Sequence, residues 1–294
     1  MWKISIKHLI VRRLGVLSKP GNKVFYPFNA LILALLCNVN VYAKTPFFDD
    51  FNGGAVDESI WAHPTGDASF NGRTQMRLGY PSVSNGLLHL QFDTYNPTAN
   101  PAGNSFYGSE ILSRKTFKRG TTGLIVEIRA RMVTPVKGLV GGVFLYKYFP
   151  ATHLHSEIDF ELLTNMPNQV QTNIYANEPL GVGHPEFSAR PQFDMTQFNT
   201  YRVEWLPDRV RWFVNDQLVR ENTTILPKEP LALHLNFYAP ECNWAIACDA
   251  SLLPASGPEN NKTYFLDIDW VRVSVKASPQ TVPAKQKLSS LRKR

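Results

Sequence analysis

His155-Ser156-Glu157-Ile158-Asp159-Phe160-Glu161-Leu162 is the stretch that decides the fold of this 294-residue chain. Successive side chains of a β-strand point to opposite faces, so Glu157, Asp159 and Glu161 share one face with His155. The residues between them are mostly apolar and are expected to face a core. Like charges side by side on a sheet are unfavourable, so stability alone does not explain three carboxylates in a row.

This row of acids has the composition that cleavage of a glycosidic bond requires. One carboxylic acid must protonate the leaving oxygen, while an ionised carboxylate attacks the sugar carbon or activates water. Crowding raises the pKa of a carboxyl group, which can keep one of the three protonated near neutral pH. We assign Glu157 as nucleophile, Glu161 as acid/base, and Asp159 as the residue that orients Glu157 and steers protons. The alternative is that the acids are only the solvated face of an edge strand.

The chain also resembles glycoside hydrolase family 16, the group that includes bacterial lichenases and plant xyloglucan endotransglycosylases. The segment at 155–161 is similar to the family's His-Asp-Glu-Ile-Asp-Phe-Glu signature, and the resemblance continues in the family's order from about residue 47 to residue 275. The other segments that carry it are Phe48–Phe51, Gly108–Ser113, Gln171–Tyr175, Phe198–Trp205, Val210–Asp216 and Asp267–Val273.

This resemblance implies an all-β fold, a curved, concanavalin-like jelly-roll sandwich with a cleft on the concave sheet. It implies cleavage or transfer of internal β-glycosidic bonds with retention, and it matches Glu157, Asp159 and Glu161 to nucleophile, assisting acid and acid/base. No extra residue separates Asp159 from Glu161, which is typical of the lichenase and endotransglycosylase branch. The chain departs from the family at Val143–Tyr146, where Phe-Trp-Leu is common, and at Leu112, where lichenases carry Arg.

Two further strands present polar and aromatic side chains on one face and apolar ones on the other, a pattern that suits the floor of a sugar-binding cleft. The alternative is that they are ordinary amphipathic strands facing water, but the resemblance matches both to cleft strands. The candidate substrate-binding residues on them are Asn173, Tyr175, Asn236 and Tyr238.

Three other residues are assigned to substrate binding. Glu110 matches a cleft acid of the family, with an ion pair to Arg114 as the alternative. Trp244 follows Asn243 in a segment similar to one that lines the family's cleft, with core packing as the alternative. His155 shares the acidic face, where it either hydrogen-bonds the catalytic acids or has no role at the edge of the strand.

Family members often bind a structural calcium ion on the convex side of the sandwich. The corresponding positions here are Asp49-Asp50, the Asn85-Gly86 turn and Asp269, of which Asp269 is the candidate metal ligand. Oxygen ligands of this kind suit calcium. The chemistry itself requires no catalytic metal and no organic cofactor.

The two ends of the chain are expected to lie outside the catalytic domain. Residues 1–43 contain six basic residues, then a short apolar run at Phe28–Leu36 and small residues near Ala43, which is the order of a secretory signal peptide. The apolar run is too short to span a bilayer comfortably, so cleavage is favoured over an uncleaved anchor. Residues 276–294 form a polar, basic segment that is predicted to be a disordered tail.

These features predict a signal peptide at 1–43, a catalytic β-sandwich at 44–275 and a tail at 276–294. The mature protein is expected to be secreted, extracellular or periplasmic, monomeric, and free of the membrane after signal cleavage. Of the 31 Lys and Arg residues, six precede Ala43 and six follow Val275, which leaves 19 against 24 acidic residues and a net charge of −5 for the body. A nucleic-acid partner therefore loses its main support.

Of the three cysteines, Cys242 and Cys248 lie in the predicted mature part. An exported chain permits a disulfide between them. Two cysteines without matching histidines disfavour a zinc site. We expect a bridge, with two buried free thiols as the alternative.

Short β-rich runs separated by Gly, Pro and Asn predict one domain built as a sandwich or barrel. Asn215-Asp216 predicts a hairpin turn, and Trp205, Trp212 and Trp270 are expected to face inward. The predicted strands are Leu87–Phe92, Leu124–Met132, Tyr201–Trp205, Val210–Val214, Leu231–Tyr238 and Tyr264–Val273.

The sequence therefore predicts a secreted, retaining endo-β-glycanase that hydrolyses internal β-1,3-1,4- or β-1,4-glucosidic bonds of a polysaccharide. A transglycosylase would use the same acids with a sugar acceptor, and residue types do not exclude galactans such as agar or carrageenan. A carbohydrate-binding lectin is the rival from another class, although a pure binder has no use for crowded acids. A structural or adhesive protein would release no reducing ends from any polysaccharide.

Overall fold

A computed structural model gives the structure of the protein and describes residues 44–64, 69–70, 73–99, 105–133, 135–189 and 193–277. The predicted signal peptide at 1–43 and residues 278–294 of the predicted tail lie outside the described residues. In the described ranges, no helical segment has the length and hydropathy needed to cross a bilayer.

The described part of the chain is built almost entirely of β-strands, and its helical segment is one 3-10 turn at Pro258–Asn260. The strands are β1 (Lys44–Asp49), β2 (Trp61–Ala62), β3 (Ser69–Phe70), β4 (Thr74–Met76), β5 (Ser82–Ser84), β6 (Leu87–Asp93), β7 (Phe106–Phe117), β8 (Leu124–Val133), β9 (Val140–Phe149), β10 (Leu154–Leu163), β11 (Gln169–Pro179), β12 (Glu186–Ala189), β13 (Asn199–Trp205), β14 (Val210–Val214), β15 (Gln217–Asn222), β16 (Leu231–Tyr238) and β17 (Thr263–Val275).

These strands form two layers, which we call the groove sheet and the back sheet. The groove sheet is antiparallel, in the order β12, β11, β10, β9, β16, β7, β2. The back sheet runs β15, β14, β13, β8, β17, and the far edge of β17 pairs with β6 and β1, with β5 beyond β6. Strand β7 joins the layers, because its first residues pair with β4 and β6 and the rest of it pairs with β16.

Alternation of side chains along each strand fills the space between the sheets. On β10 the inward residues Ile158, Phe160 and Leu162 are buried, and on β17 Leu266 and Ile268 meet them as part of the same core. Burial of side chains of this size contributes about 1.5–3 kcal/mol each. The predicted all-β jelly-roll sandwich is confirmed, and its inward alternation leaves the opposite face of β10 free for polar residues.

The hairpin and two of the three tryptophans lie where the pattern predicts. Asn215 and Asp216 have φ of 48° and 64°, the backbone of a tight hairpin turn between β14 and β15. Trp205 and Trp212 are buried. Trp270 is a correction, because it is only half-buried and carries the guanidinium of Arg272 over its ring, 5.2 Å from the centroid.

Candidate active site

The three acids of β10 face a groove on the outer side of the groove sheet. Neighbouring strands set their surroundings: Glu157 lies opposite Tyr146 and Tyr175, while Glu161 lies opposite Gly142 and a glutamine. The groove has a volume of about 650 Å³. Its lining residues are His155, Glu157, Asp159, Glu161, Gln171, Asn173, Tyr175, Leu180, Gly181, Gly183, Pro185, Tyr238, Asn243 and Trp244.

Contacts from the back sheet hold the acidic strand from below. The indole Nε1 of Trp212 donates a hydrogen bond of 3.0 Å to the backbone carbonyl of Asp159. The guanidinium of Arg220 is buried, donates to the carbonyl of Thr172 at 3.0 Å and pairs with Glu186 at 3.2 Å. The floor of the groove is therefore attached to the back sheet by side chains of β14 and β15.

Burial and mutual repulsion act on the protons of this site. Burial, and next the charge of Glu157, raises the pKa of Asp159 well above its usual range, while the charge of Arg220 opposes that rise. Burial, then the charges of Asp159 and Glu157, raises the pKa of Glu161 well above its usual range. Both groups are thus biased towards the protonated form, which is the state that a general acid needs before reaction.

Several oxygen atoms in the groove have unused hydrogen-bonding capacity. Oδ1 of Asp159, Oε2 of Glu161 and Oε1 of Gln171 are shielded from solvent, and none has a protein hydrogen-bond partner within the described residues. Buried polar groups normally find a partner. These atoms are therefore available to groups of a bound molecule or to water.

His155 is placed by contacts on both ring nitrogens. It is buried, its Nδ1 lies 2.9 Å from the carbonyl oxygen of Glu178, and its Nε2 lies 3.4 Å from Oε2 of Glu157. Because a carbonyl can only accept, Nδ1 carries the proton of this hydrogen bond. The ring also packs on Tyr175, with centroids 4.1 Å apart.

The structure brings five of the predicted substrate-binding residues to the groove wall. Besides His155, these are Asn173, Tyr175, Tyr238 and Trp244, which line the groove together with the acids. The amide of Asn173 donates to Tyr175 Oη at 3.2 Å, and its Oδ1 accepts from the backbone N–H of His184 at 2.7 Å. This amide therefore ties the aromatic wall to the loop between β11 and β12.

Two predicted residues lie on the same sheet face but do not line the groove. Asn236 is buried, and its Oδ1 accepts a hydrogen bond of 3.1 Å from the backbone N–H of Gly142, so it supports the strand beside Glu161. Glu110 pairs with His234 at 2.7 Å. The ion pair with Arg114 that was considered for Glu110 is wrong, since Arg114 donates to a backbone carbonyl elsewhere.

The loop between β11 and β12 supplies groove residues that sequence patterning missed. Leu180 and Gly181 line the groove, and Leu180 is 63% exposed. A Cβ atom on Gly183 would lie 2.6 Å from the hydroxyl of Tyr175, so the glycine permits the close approach of loop and wall. The one signal was a pair of glycines among apolar residues just after a strand. Arg220 was also missed, because nothing in its neighbours marks it as buried.

Trp244 lies on a loop that the structure closes with a disulfide between Cys242 and Cys248. Arg73 approaches the same bridge, with Nη1 3.0 Å from Sγ of Cys248, and donates to the carbonyl of Leu252 at 3.0 Å. The bridge and the arginine together restrict the loop that carries this groove residue.

The position expected to bind calcium holds a cation from the protein itself. The carboxylate of Asp269 forms an ion pair with Arg129. Asp49 accepts hydrogen bonds from Trp61 Nε1 and from the backbone N–H of Phe51. The contact with Arg129 engages Oδ2 of Asp269 and leaves the predicted calcium site untested. The calcium site stays a prediction.

Comparisons with known proteins agree with this geometry. The family model "Glycosyl hydrolases family 16" matches residues 70–272. The beta-glucanase of Paenibacillus polymyxa is 31% identical over 214 residues, which cover 70% of this chain and 82% of the relative. The endo-1,3-1,4-beta-glycanase ExoK of Rhizobium meliloti is 31% identical over 180 residues, which cover 60% of this chain and 61% of the relative.

Solved structures share the architecture. A prokaryotic beta-1,3-1,4-glucanase (lichenase) derived from a mouse hindgut metagenome superposes with a TM-score of 0.62 at 22% sequence identity. The match covers 79% of this chain and 99% of that chain. At this identity the likeness describes the fold.

Proposed function

This chain belongs to glycosyl hydrolase family 16, and from that premise we propose that it cleaves internal β-1,3-1,4- or β-1,4-glucosidic bonds of a polysaccharide with retention of configuration. It is a glycoside hydrolase of the endo-β-glucanase type. The observation that supports the proposal most strongly is that Glu157, Asp159 and Glu161 share the floor of one groove with aromatic walls. The names of the curated relatives support a β-glucan as substrate.

In the first chemical step, Glu157 attacks the anomeric carbon while Glu161 gives its proton to the departing glycosidic oxygen. The bond from carbon to the leaving oxygen breaks as the bond to the Glu157 carboxylate forms. The raised pKa of Glu161 supports this division of roles, because its proton is retained until the leaving oxygen needs it. Asp159 lies between the two and orients Glu157.

In the second step, Glu161 is a carboxylate and acts as the base. It takes a proton from water, the water oxygen attacks the anomeric carbon, and the ester bond to Glu157 breaks. Two displacements on one carbon restore the original configuration. If a sugar hydroxyl replaces the water, the same residues transfer the chain instead, which is the transglycosylase alternative.

The groove walls supply the contacts that hold a sugar chain. Tyr175, Tyr238 and Trp244 offer ring faces to the C–H surfaces of sugar rings, and Asn173 offers a planar group to hydroxyls. These contacts suit pyranose rings, and the residue types do not distinguish a glucan from a galactan. We propose mixed-linkage β-glucan as the first substrate to test.

We also propose that the protein is exported and acts as a monomer outside the cytoplasm or in the periplasm. The order of basic, apolar and small residues before Lys44 supports a cleaved signal peptide. The disulfide between Cys242 and Cys248 supports an oxidising compartment. Removal of the basic ends leaves a body with a net negative charge, which does not favour nucleic acid as a partner.

The test is a panel of lichenan, laminarin, xyloglucan and agarose, with reducing ends and product sizes measured for the wild type and Glu157→Gln. We expect the wild type to cut lichenan into short oligosaccharides, and Glu157→Gln to bind it without cutting. Glu259→Gln is the matched control, since it makes the same change at an exposed site outside the groove and should keep full activity. An unchanged number of reducing ends with altered chain lengths would indicate a transglycosylase. Binding of a polysaccharide by the wild type and Glu157→Gln alike, without turnover by either, would indicate a lectin.

A further inference from the structure

A second row of reactive side chains crosses the outer face of the back sheet, on the other side of the sandwich from the groove. Ser84 Oγ lies 3.0 Å from His89 Nε2, and His89 Nδ1 lies 2.7 Å from Asp267 Oδ1. The three residues come from neighbouring strands β5, β6 and β17. Serine, histidine and a carboxylate linked in this order form the arrangement that activates a serine hydroxyl as a nucleophile.

Strand register explains how the row forms. His89 lies directly opposite Asp267 on one side and opposite Ser82 on the other. The residues flanking His89 in β6, Leu88 and Leu90, are buried in the core, so His89 must point outward. A tight turn at 85–86 ends β5 at Ser84, which leaves this serine exposed within reach of the imidazole.

The hydrogen bonds fix which nitrogen of His89 carries its proton. Arg131 donates hydrogen bonds to Oδ2 of Asp267 at 3.0 Å through Nη2 and at 3.1 Å through Nε, so this oxygen serves as an acceptor. Oδ1 of the same carboxyl group faces Nδ1 of His89 at 2.7 Å, and a ring N–H donating to a carboxyl oxygen places the proton on Nδ1. In the neutral ring Nε2 is then left with its lone pair facing the Ser84 hydroxyl, which is the tautomer of a general base.

The solvent exposure of the three side chains increases from the carboxylate to the histidine to the serine. Asp267 is 3% exposed, His89 is half-buried, and Ser84 is exposed. His89 is also held by an edge-to-face contact with Phe265, with centroids 6.1 Å apart. A depression of about 450 Å³ borders the row, and Val133, Phe265, Gln91 and Arg131 line it. A small acyl group would find apolar contacts there beside the serine.

We propose that this row is a second catalytic site, which hydrolyses esters of short carboxylic acids independently of the glycosidase groove. Ser84 Oγ attacks the carbonyl carbon of the ester as its proton passes to Nε2 of His89. The alcohol leaves with that proton, and the acyl group stays on Ser84 Oγ. Water then attacks the acyl carbon, gives a proton to Nε2, and the carboxylic acid departs as the proton returns to Ser84.

Covalent labelling tests the proposal with the full chain. The protein is treated with a fluorophosphonate, which phosphonylates activated serines, and the modified peptide is located by mass spectrometry. We expect the label on Ser84 in the wild type and no label in Ser84→Ala. His89→Gln should label at least 100-fold more slowly, because the general base is lost while the serine remains. A wild-type protein that takes no label, or takes it elsewhere, would overturn the proposal.

Hydrolysis of p-nitrophenyl acetate gives the second readout. We expect Ser84→Ala to lose at least 100-fold of the wild-type rate, while Ser59→Ala, which removes an exposed hydroxyl away from the row, retains it. Release of reducing ends from lichenan by each variant checks that the fold is intact, since the row lies outside the groove. Equal acetate release by wild type and Ser84→Ala would show that the row is only a structural hydrogen-bond chain.

Discussion

Nε2 of His155 lies 3.4 Å from Oε2 of Glu157, while Nδ1 of the same ring is committed to the carbonyl of Glu178. We expect this fixed imidazole to help Asp159 orient the carboxylate of the predicted nucleophile. The pairing of β10 with β11 shifts register between His155 and Ser156, just before Glu157. The site thus consists of the acidic face of β10 and of His155, which contacts Glu157, the first acid of that face.

His155→Gln should lower kcat on the order of 10- to 100-fold with little change in KM. The substituted amide fills part of the space but does not hold Glu157 in line with the anomeric carbon, and small misplacements of a reacting group are costly. Steady-state kinetics on lichenan measure the changes in kcat and KM separately. His153→Gln changes an exposed histidine two residues away and should leave both constants near the wild-type values. A KM effect alone would show that His155 only binds substrate.

Asp159→Asn should move the alkaline limb of the pH profile to lower pH. The carboxylate of Asp159 raises the pKa of Glu161, so its removal lets Glu161 lose its proton at a lower pH. Glu161 must be protonated for the first step, and activity therefore falls earlier as pH rises. The measurement is kcat/KM from about pH 4 to pH 10. Asp208→Asn, a change at an exposed site, is the control. If the alkaline limb of Asp159→Asn coincides with that of the wild type, a group other than Glu161 determines the limb.

Glu161→Gln should melt at a higher temperature than the wild type at about pH 8, and the difference should shrink towards about pH 4. A carboxyl group whose pKa is raised by folding stabilises the native state while it is protonated, and that contribution is lost as pH rises through the folded pKa. The amide cannot ionise and avoids the loss. Thermal melts of both proteins over this range measure the difference in melting temperature. A wild type that is the more stable protein at pH 8 would contradict the prediction.

Gly142→Ala should abolish most of the activity without unfolding the sandwich. A Cβ atom at this position would collide with Oδ1 of Asn236, which accepts the Gly142 N–H. Gly142 itself lies directly opposite Glu161 on the adjacent strand. A loss of kcat on the order of 100-fold is expected from displacement of the neighbouring acid. Gly54→Ala, where nothing lies within 4 Å of the added atom, is the control. Full activity in Gly142→Ala would show that Asn236 has no supporting role.

Strand parity made the acidic face and the hairpin predictable. The alternation of Glu157, Asp159 and Glu161 with apolar residues fixes which face meets the core, and the structure has the same division on β10. Asn215 and Asp216 tolerate positive φ, so the turn was readable without knowledge of the rest of the fold. These features depend on neighbours within the same strand or turn.

Contacts between distant strands were not predictable in the same way. Trp270 was expected inside, but the pairing of β17 with β8 shifts register between Ile268 and Trp270 and turns its ring outward. Glu110 and Arg114 share a strand face but lie four residues apart, whereas the cross-strand neighbour of β7 brings His234 to Glu110. Register shifts and cross-strand partners follow from the packed sheet, which one sequence does not display.

Trapping of the glycosyl-enzyme tests whether Glu157 is the nucleophile of a retaining reaction. An activated 2-deoxy-2-fluoro β-glucan oligosaccharide slows the second step, so the intermediate accumulates and its site can be found by mass spectrometry of the digested protein. We expect one added glycosyl group on the peptide that contains Glu157, attached to the carboxylate of Glu157 itself. A label on Glu161, or hydrolysis of the substrate with inverted configuration and no covalent adduct, would contradict it.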